Sequence, residues 1–268
     1  MNILITGTSS GIGKALSEIF LANNHIVFGI DINETSSSNV VSFKADITNK
    51  DELDNIKTIL FERNITLDMI INVAGIHKMA SLVESNYNTI KKLIDINLCG
   101  TMLINNTFHS LLNKNGKVII ITSEVAEFDP MPFNGLYSVS KTALESYAQA
   151  LRQELNLINQ KVITFQPGSI ETPLSTNSMS DTEKLASNTI LYKKQANNFL
   201  HIAKKFMGKP IKTEKLAKFI YKNSIKKKPK YTYKIHRNLG LVLLNILPKR
   251  LQCFIIKSIL NIKQKESL

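Results

Sequence analysis

Short apolar runs alternate with longer amphipathic stretches along the first two thirds of the chain. The apolar runs are rich in Ile, Val and Phe, and the stretches between them repeat apolar residues at helical spacing. The predicted strands are Asn2–Thr6, Ile26–Ile30, Val40–Phe43, Asp68–Asn72, Lys117–Thr122 and Lys161–Phe165. This alternation predicts an α/β fold, a doubly wound parallel sheet with helices on both faces, in a single domain over residues 1–268.

A glycine-rich turn joins the first strand to a predicted helix over 11–22. Glycines let the backbone approach a pyrophosphate, whose charge is met by N–H groups and the helix dipole. The candidate cofactor ligands of this turn are Gly7, Ser9, Ser10, Gly11, Ile12 and Gly13. Asp31 ends the second strand, where a carboxylate can accept both ribose hydroxyls and repel a 2′-phosphate. Because neither Ser10 nor Ile32 is basic, the sequence favours NAD over NADP as the cofactor.

Tyr137 and Lys141 are two proton-exchanging residues four positions apart, on the same face if their segment is helical. An ammonium at about 4 Å in an effective dielectric of about 20 favours a phenolate by roughly 4 kcal/mol. The pair therefore predicts a tyrosine that exchanges protons near neutral pH. Tyr87 and Lys91 have the same spacing, and we interpret them as a solvated pair on a polar helix face.

Five motifs, taken in order, resemble the short-chain dehydrogenase/reductase family. They are TGxxxGIG at 6–13, NVAG at 72–75, NLxG at 97–100, YxxxK at 137–141 and PGxxxT at 167–172. The resemblance covers residues 1–172 and implies a Rossmann-like sheet in the order 3-2-1-4-5-6-7. It also implies nicotinamide-dependent oxidation and reduction of alcohols and carbonyls. In that chemistry Tyr137 is the general acid/base, and Lys141 binds the nicotinamide ribose and lowers the tyrosine pKa.

The resemblance places further residues at the cofactor and the catalytic centre. Asp46 matches an adenine-contacting aspartate, with Ile47 beside it, although Asp46 or Thr48 would equally suit the cap of the next helix. Asn97 is implied to bend its helix and to hold a water that gives the lysine a proton exit, the alternative being a surface asparagine. The remaining cofactor candidates are Asn72, Ala74, Gly75, Pro167, Gly168, Ile170 and Thr172.

The serine that the family places 13 residues before the tyrosine is missing, since Glu124 occupies that position and Ser123 precedes it. Adjacent strand residues point to opposite faces. Either a bulge turns Ser123 toward the substrate, or Glu124 faces the substrate and opposes the tyrosinate. Ser123 is taken as the fourth catalytic candidate. The second alternative is compatible with a catalytically impaired, dinucleotide-binding regulatory protein.

The last third of the chain bears on substrate and partners. Residues 173–210 match the family's substrate lid, and their apolar residues predict either a face over a hydrophobic substrate or an ordinary packed helix. Those residues are Leu185, Thr189, Tyr192, Ala196 and Phe199. Residues 200–268 carry 18 basic and 2 acidic residues, and the whole chain has a net charge of +13. We interpret the basic and apolar extension 226–268 as a peripheral membrane contact or as oligomer or core packing, and not as a nucleic-acid site.

Cysteine and histidine usage indicates neither disulfides nor metal. Cys99 and Cys253 lie in apolar stretches and are predicted to be reduced thiols. The histidines lack zinc-like spacing, so no metal site is predicted. The first strand begins at Asn2, which argues against a secretory signal. The sequence therefore predicts a cytoplasmic homo-oligomer that acts on a small alcohol or carbonyl, with or without peripheral membrane contact.

Overall fold

A seven-stranded parallel sheet lies at the centre of the protein. The structure is a computed structural model that describes residues 1–35, 37, 39–206 and 210–262. The strands are β1 (Asn2–Thr6), β2 (Ile26–Asp31), β3 (Val41–Lys44), β4 (Leu67–Asn72), β5 (Leu112–Ile121), β6 (Lys161–Pro167), β7 (Ile170–Glu171), β8 (Ile211–Lys212) and β9 (Thr232–Ile235). The helices are α1 (Gly11–Ala22), α2 (Lys50–Glu62), α3 (Tyr87–Ile94), α4 (Thr101–Phe108), α5 (Gly135–Asn156), α6 (Pro173–Asn188), α7 (Lys193–Phe206), α8 (Thr213–Ser224), α9 (Leu239–Ile246) and α10 (Lys249–Leu260).

The order of the large sheet is β3-β2-β1-β4-β5-β6-β9, and each neighbouring pair is parallel. This confirms the predicted doubly wound sheet and its order. The seventh position belongs to the ninth strand of the chain, because β7 and β8 pair with each other in a separate two-stranded sheet. The last strand of the large sheet thus comes from a segment that the sequence marks only as basic and aromatic.

Alternating strand residues build a hydrophobic core on each face of the sheet. In β1, Leu4 packs in the cluster covered by α2, α4 and α5, whereas Ile3 and Ile5 pack in the cluster covered by α1 and α8. Because all strands of this sheet run the same way, the loops after β1, β2, β4, β5 and β6 meet at its carboxyl edge. Ligands of open α/β sheets bind at this edge.

The C-terminal segment is attached to the loop that follows β5. Glu127 of that loop pairs with Lys234 and Arg237, and Asp129 pairs with Lys249. At the other end of the segment, α10 packs on α7, where the buried Asn198 donates to the backbone carbonyls of Leu260, the last residue of α10, and of Ile262, at 2.8 and 2.9 Å. The segment is therefore held both by the loop after β5 and by the predicted lid.

The predicted lid and extension reach into residues 207–209 and 263–268, which lie outside the described residues. Within the described ranges, no helix is both long enough and apolar enough to cross a bilayer.

Candidate active site

A cleft of about 620 Å³ opens at the carboxyl edge of the sheet. The predicted site residues in its lining are Gly7, Ser9, Ser10, Gly11, Ile12, Gly13, Asp31, Asp46, Ile47, Ala74, Gly75, Ser123, Tyr137, Lys141, Pro167, Gly168, Ile170 and Thr172. Asn72 and Asn97 lie outside the lining. The fold thus brings together residues from six separate loops and from α5.

The turn between β1 and α1 forms a close-fitting backbone cradle. Gly7 has a φ of +78°, which favours glycine, and a Cβ at Gly13 would lie 2.0 Å from the carbonyl oxygen of Gly7. Ser10 at the N-cap of α1 makes no side-chain hydrogen bond to the helix, which leaves the first-turn N–H groups to a ligand or solvent. A dinucleotide pyrophosphate fits such a cradle, because backbone and helix dipole both favour an anion there.

Asp31 and Asp46 stand on the cleft wall after β2 and β3. The Asp31 carboxylate accepts two backbone N–H groups, one from the glycine turn at 3.0 Å and one from its own turn at 2.9 Å. The Asp46 carboxylate accepts the N–H and the hydroxyl of Thr48, both at 2.8 Å. Asn49 caps α2, so the alternative in which Asp46 or Thr48 caps that helix is wrong.

Tyr137 and Lys141 lie one turn apart near the start of α5. The Nζ of Lys141 lies 5.7 Å from the centre of the Tyr137 ring and donates to the carbonyl of Ile121 at 3.2 Å. Burial raises the pKa of Tyr137 to about 12, and a hydrogen bond with the Ser123 hydroxyl opposes that rise. Burial also lowers the pKa of Lys141 to about 8, against the attraction of the Glu145 carboxylate.

The predicted fall of the tyrosine pKa toward neutrality is therefore wrong for this structure. The attraction between an ammonium and a phenolate is outweighed here, because burial disfavours both charged forms. Tyr87 and Lys91 are the solvated residues that the sequence predicts, since Tyr87 is 72% exposed and Lys91 pairs with Asp95 on the surface of α3. The enclosure of the pair in the cleft, with Lys141 buried and Tyr137 half-buried, separates the two cases, and the spacing does not.

Ser123 and Glu124 point in different directions without a bulge. β5 pairs regularly with β6 up to Ile121, and a short 3₁₀ turn begins at Glu124, so strand alternation ends before these residues. The Ser123 hydroxyl reaches Tyr137. The Glu124 carboxylate instead accepts the N–H of Asn238 at 2.7 Å, in the C-terminal segment.

Glu124 lines the cleft, but its carboxylate points toward the C-terminal segment. Burial raises its pKa, against the Asn238 N–H and the positive charges of Arg237 and His236. Gly168 lies beside it, and a Cβ there would lie 1.9 Å from the carbonyl oxygen of His236. The C-terminal segment lies so close to this loop that only a glycine fits at 168, and it also supplies the N–H that holds the Glu124 carboxylate.

Asn97 lies behind the cleft in a π-helical turn, Asp95–Gly100, that separates α3 from α4. It is buried, and its side chain accepts the N–H of Ile76 at 2.8 Å and donates to the Ile76 carbonyl at 2.9 Å and to the Ser140 hydroxyl at 3.0 Å. These bonds tie the loop after β4 to α5. The alternative of a surface asparagine is wrong, because the side chain is 1% exposed.

Asn72 is also a buried structural contact. Its amide donates to the side chain of Asn105 at 2.9 Å and to the Ile119 carbonyl at 3.3 Å, which links β4 to α4 and β5. Gly75, three residues on, does line the cleft. A Cβ at Gly75 would lie 3.1 Å from Oδ1 of Asn97 and 3.7 Å from Nζ of Lys141, so the glycine lets both side chains lie close to this loop.

His77, Asn134 and Asn238 line the cleft and are absent from the sequence-based candidates. The His77 ring packs on Tyr137 with centres 4.4 Å apart, and its Nε2 lies 3.0 Å from Oδ1 of Asn134. Burial lowers the His77 pKa, so the ring is neutral near pH 7. Its place two residues after Gly75 is the sequence signal that would have found His77. Asn238 gives no such signal, since only the fold brings it to the cleft.

The apolar residues of the predicted lid do not face the cleft. The lid forms two helices, α6 and α7, and its residues pack in a small cluster around Met79 and Phe133. The lid residues in this cluster are Leu185, Tyr192, Ala196 and Phe199. Thr189 is buried and donates to Glu84 at 2.6 Å. The cleft is lined instead by the start of α6, at Pro173, Leu174, Ser175 and Ser178. This arrangement is that of ordinary packed helices.

The family model for short chain dehydrogenase matches residues 1–183. The chain belongs to this family. An uncharacterized oxidoreductase of Staphylococcus saprophyticus is 30% identical over 64% of the chain and 79% of the relative. The NADPH-dependent 1-acyldihydroxyacetone phosphate reductase of Schizosaccharomyces pombe is 28% identical over 71% of the chain and 67% of the relative.

A solved short chain dehydrogenase family protein from Francisella tularensis is also similar, with a TM-score of 0.72 and 26% identity over 87% of the chain and 96% of that protein. Family membership confirms the predicted oxidoreductase class and the nucleotide-binding Rossmann-like fold. The short chain dehydrogenase is thus an NAD(P)-dependent oxidoreductase.

Proposed function

We propose that the protein transfers hydride between a nicotinamide cofactor and a secondary alcohol or ketone with an apolar chain. The observation that carries this proposal is the meeting of Ser123, Tyr137 and Lys141 beside the glycine cradle in one cleft. Nicotinamide supplies or accepts the hydride when it is bound. The protein supplies the binding site, the orientation and the proton.

Tyr137 is the proposed general acid/base, and Ser123 holds the substrate oxygen next to it. With a pKa of about 12 the phenol keeps its proton at neutral pH, so it is ready to donate that proton to a developing alkoxide. Lys141, whose Nζ lies 5.7 Å from the centre of the Tyr137 ring, is the proposed ligand of the nicotinamide ribose, and Asn97 positions the wall behind it.

The carboxylate of Asp31 supports NAD as the preferred cofactor. It is fixed by two N–H groups at the end of β2, where it favours ribose hydroxyls and repels an added phosphate. The similar reductase of Schizosaccharomyces pombe is NADPH-dependent by name, so cofactor choice is tested directly. We expect tighter binding of NADH than of NADPH, and we expect Asp31→Ser to reduce or reverse that preference in a fluorescence titration.

An apolar, acyl-bearing ketone is the proposed substrate class. Val125, Pro173 and Leu174 contribute apolar side chains to the wall of the cleft. The name of the same relative denotes an acylated ketone phosphate. The catalytic proposal is supported over a catalytically impaired regulator by the contact of Glu124 with Asn238 and by the hydrogen bond of Ser123 to Tyr137. We place the enzyme in the reducing cytoplasm, with Cys99 and Cys253 as free thiols.

The test is oxidation of NADH and NADPH with a series of ketones of increasing chain length. We expect turnover to rise with chain length, and Tyr137→Phe to lower kcat by roughly a thousandfold while cofactor binding persists. Tyr87→Phe is the matched control, since it alters the exposed tyrosine of the same spacing. Equal turnover by the wild type and Tyr137→Phe would contradict the proposal.

A further inference from the structure

Two helices near the C-terminus present apolar side chains to solvent. The eight residues of α9, all of them described, include no charged and no buried residue. Leu239, Leu243 and Ile246 repeat at i, i+4 and i+7 along α9 and are 66 to 74% exposed. On α10, Leu251 and Phe254 are also exposed. Single exposed apolar residues are normal, but a continuous stripe marks an interaction surface.

Basic side chains flank this stripe. Arg250 and Lys257 are exposed one turn before and one turn after Phe254, so the three share a face of α10. Neither forms an ion pair with a described residue. The sequence has no acidic residue between 239 and 262. The docking surface, as we define it, consists of Leu239, Leu243, Ile246, Arg250, Leu251, Phe254 and Lys257.

The lysines at 226–230 do not belong to the docking surface. Lys117 and Lys161 form the first residue pair between β5 and β6. Their side chains donate to the backbone carbonyls of Lys226 and Lys227 at 2.8 and 2.6 Å. That run therefore lies at the amino edge of the sheet, opposite the cleft. The structure divides the basic extension into two separate regions, and only the region with apolar residues is near the active site.

The docking surface is connected to the cleft and to the lid. Asn238 caps α9, lines the cleft, and has its N–H held by Glu124 at 2.7 Å. α10 rests on α7 through the buried Asn198. A partner bound to α9 and α10 would therefore lie next to the substrate entrance.

We propose that the docking surface binds an anionic lipid bilayer. Apolar residues flanked by lysine and arginine are the pattern of a helix that lies in the membrane interface, where acidic headgroups attract the cations. A second copy of the chain is a poorer match. A two-fold contact would bring the same patch against itself, so that the cations of both copies enter one interface with no acid in the patch to pair with them.

Membrane binding adds a partner to the proposed function. Only the biological reason for the binding rests on that function, since a membrane would supply an acyl-bearing ketone to the cleft. The binding itself needs neither cofactor nor turnover. If turnover fails while bilayer binding holds, only the catalytic proposal is overturned, and the reverse result overturns only this one.

The experiment is co-sedimentation of the full chain with vesicles of phosphatidylcholine alone or mixed equally with phosphatidylglycerol. We expect binding to the mixed vesicles and at least about tenfold weaker binding when salt screens the charges. Leu243→Glu and Phe254→Glu should each lower binding by about tenfold or more, because they place a carboxylate at the interface. Phe61→Glu is the matched control, since Phe61 is 69% exposed on α2 and Phe254 is 66% exposed. Urea unfolding of each variant verifies its fold.

Three outcomes would overturn the proposal. The first is that the wild type binds neither kind of vesicle. The second is that Phe254→Glu and Phe61→Glu reduce binding equally. In the third, sedimentation velocity shows a concentration-dependent dimer that Phe254→Glu abolishes, without vesicle binding, which would assign the surface to a second copy.

Discussion

Lys141→Met should stabilise the protein while it removes catalysis. The folded structure lowers the lysine pKa from 10.5 to about 8 by burial. One pKa unit corresponds to about 1.4 kcal/mol, so keeping this ammonium charged disfavours the folded state by about 3 kcal/mol at neutral pH. Methionine keeps most of the volume but loses the bond to the Ile121 carbonyl, which contributes about 1 kcal/mol. A net gain of about 2 kcal/mol in the free energy of unfolding follows.

The stabilisation by Lys141→Met should depend on pH. Between about 8 and 10.5 the unfolded chain binds a proton at this lysine that the folded protein has released, so wild-type stability rises with pH through that window. The advantage of Lys141→Met is therefore full below about 8 and disappears toward 10.5. Urea unfolding followed by circular dichroism measures it at both ends.

Lys91→Met is the control for this comparison, because it removes the other lysine of the same spacing. Lys91 is exposed and its pKa is raised by Asp95, so its loss should give no stabilisation. If Lys141→Met unfolds at the same urea concentration as the wild type at neutral pH, or if the difference does not change with pH, the buried-charge argument fails.

Three further predictions concern the walls of the cleft. Ser123→Ala should lower kcat by roughly a hundredfold, and Glu124→Ser should not restore the activity when combined with it; steady-state kinetics of the single and double variants decide this. Gly13→Ala should weaken cofactor binding and lower stability, since its Cβ would lie 2.0 Å from a carbonyl oxygen. Gly240→Ala is the control, because its Cβ would meet only a side-chain oxygen at 3.1 Å. It should leave cofactor binding, measured by titration, and stability, measured by thermal unfolding, unchanged. Glu124 has a raised pKa, so the folded state holds its proton to higher pH and stability falls as pH rises above 4.5; Glu124→Gln should flatten that slope in urea unfolding.

The order of the sheet and the position of the cleft could be predicted because they depend on local patterns. The apolar run of β1, the turn after it and the start of α1 are contiguous in sequence, and the structure has β1 and α1 at the predicted residues. The strand over 232–235 could not be found in this way. Its residues pair with β6, and its neighbours in sequence are mostly basic, so the pairing partner and not the pattern makes it a strand.

In the candidate active site, too, local geometry could be predicted from the sequence, whereas burial and long-range contacts could not. The proximity of Tyr137 and Lys141 follows from helix geometry, but their pKa values depend on burial, which no spacing reports. The direction of Ser123 depends on where β5 stops pairing. The contact of Glu124 with Asn238 joins residues 114 positions apart, and no local pattern in the sequence indicates it.

Glu124 explains why a departure from the family pattern need not impair the site. A carboxylate in place of the expected serine would oppose a phenolate if it faced Tyr137, but it accepts the N–H at the start of α9, where the positive end of the helix dipole also favours it. Ser123, one residue earlier, still reaches Tyr137. The same turn therefore holds both the proposed donor for the substrate oxygen and an anchor for the C-terminal helices. Because the anchor lines the cleft, any partner that displaces α9 acts directly on the wall of the cleft.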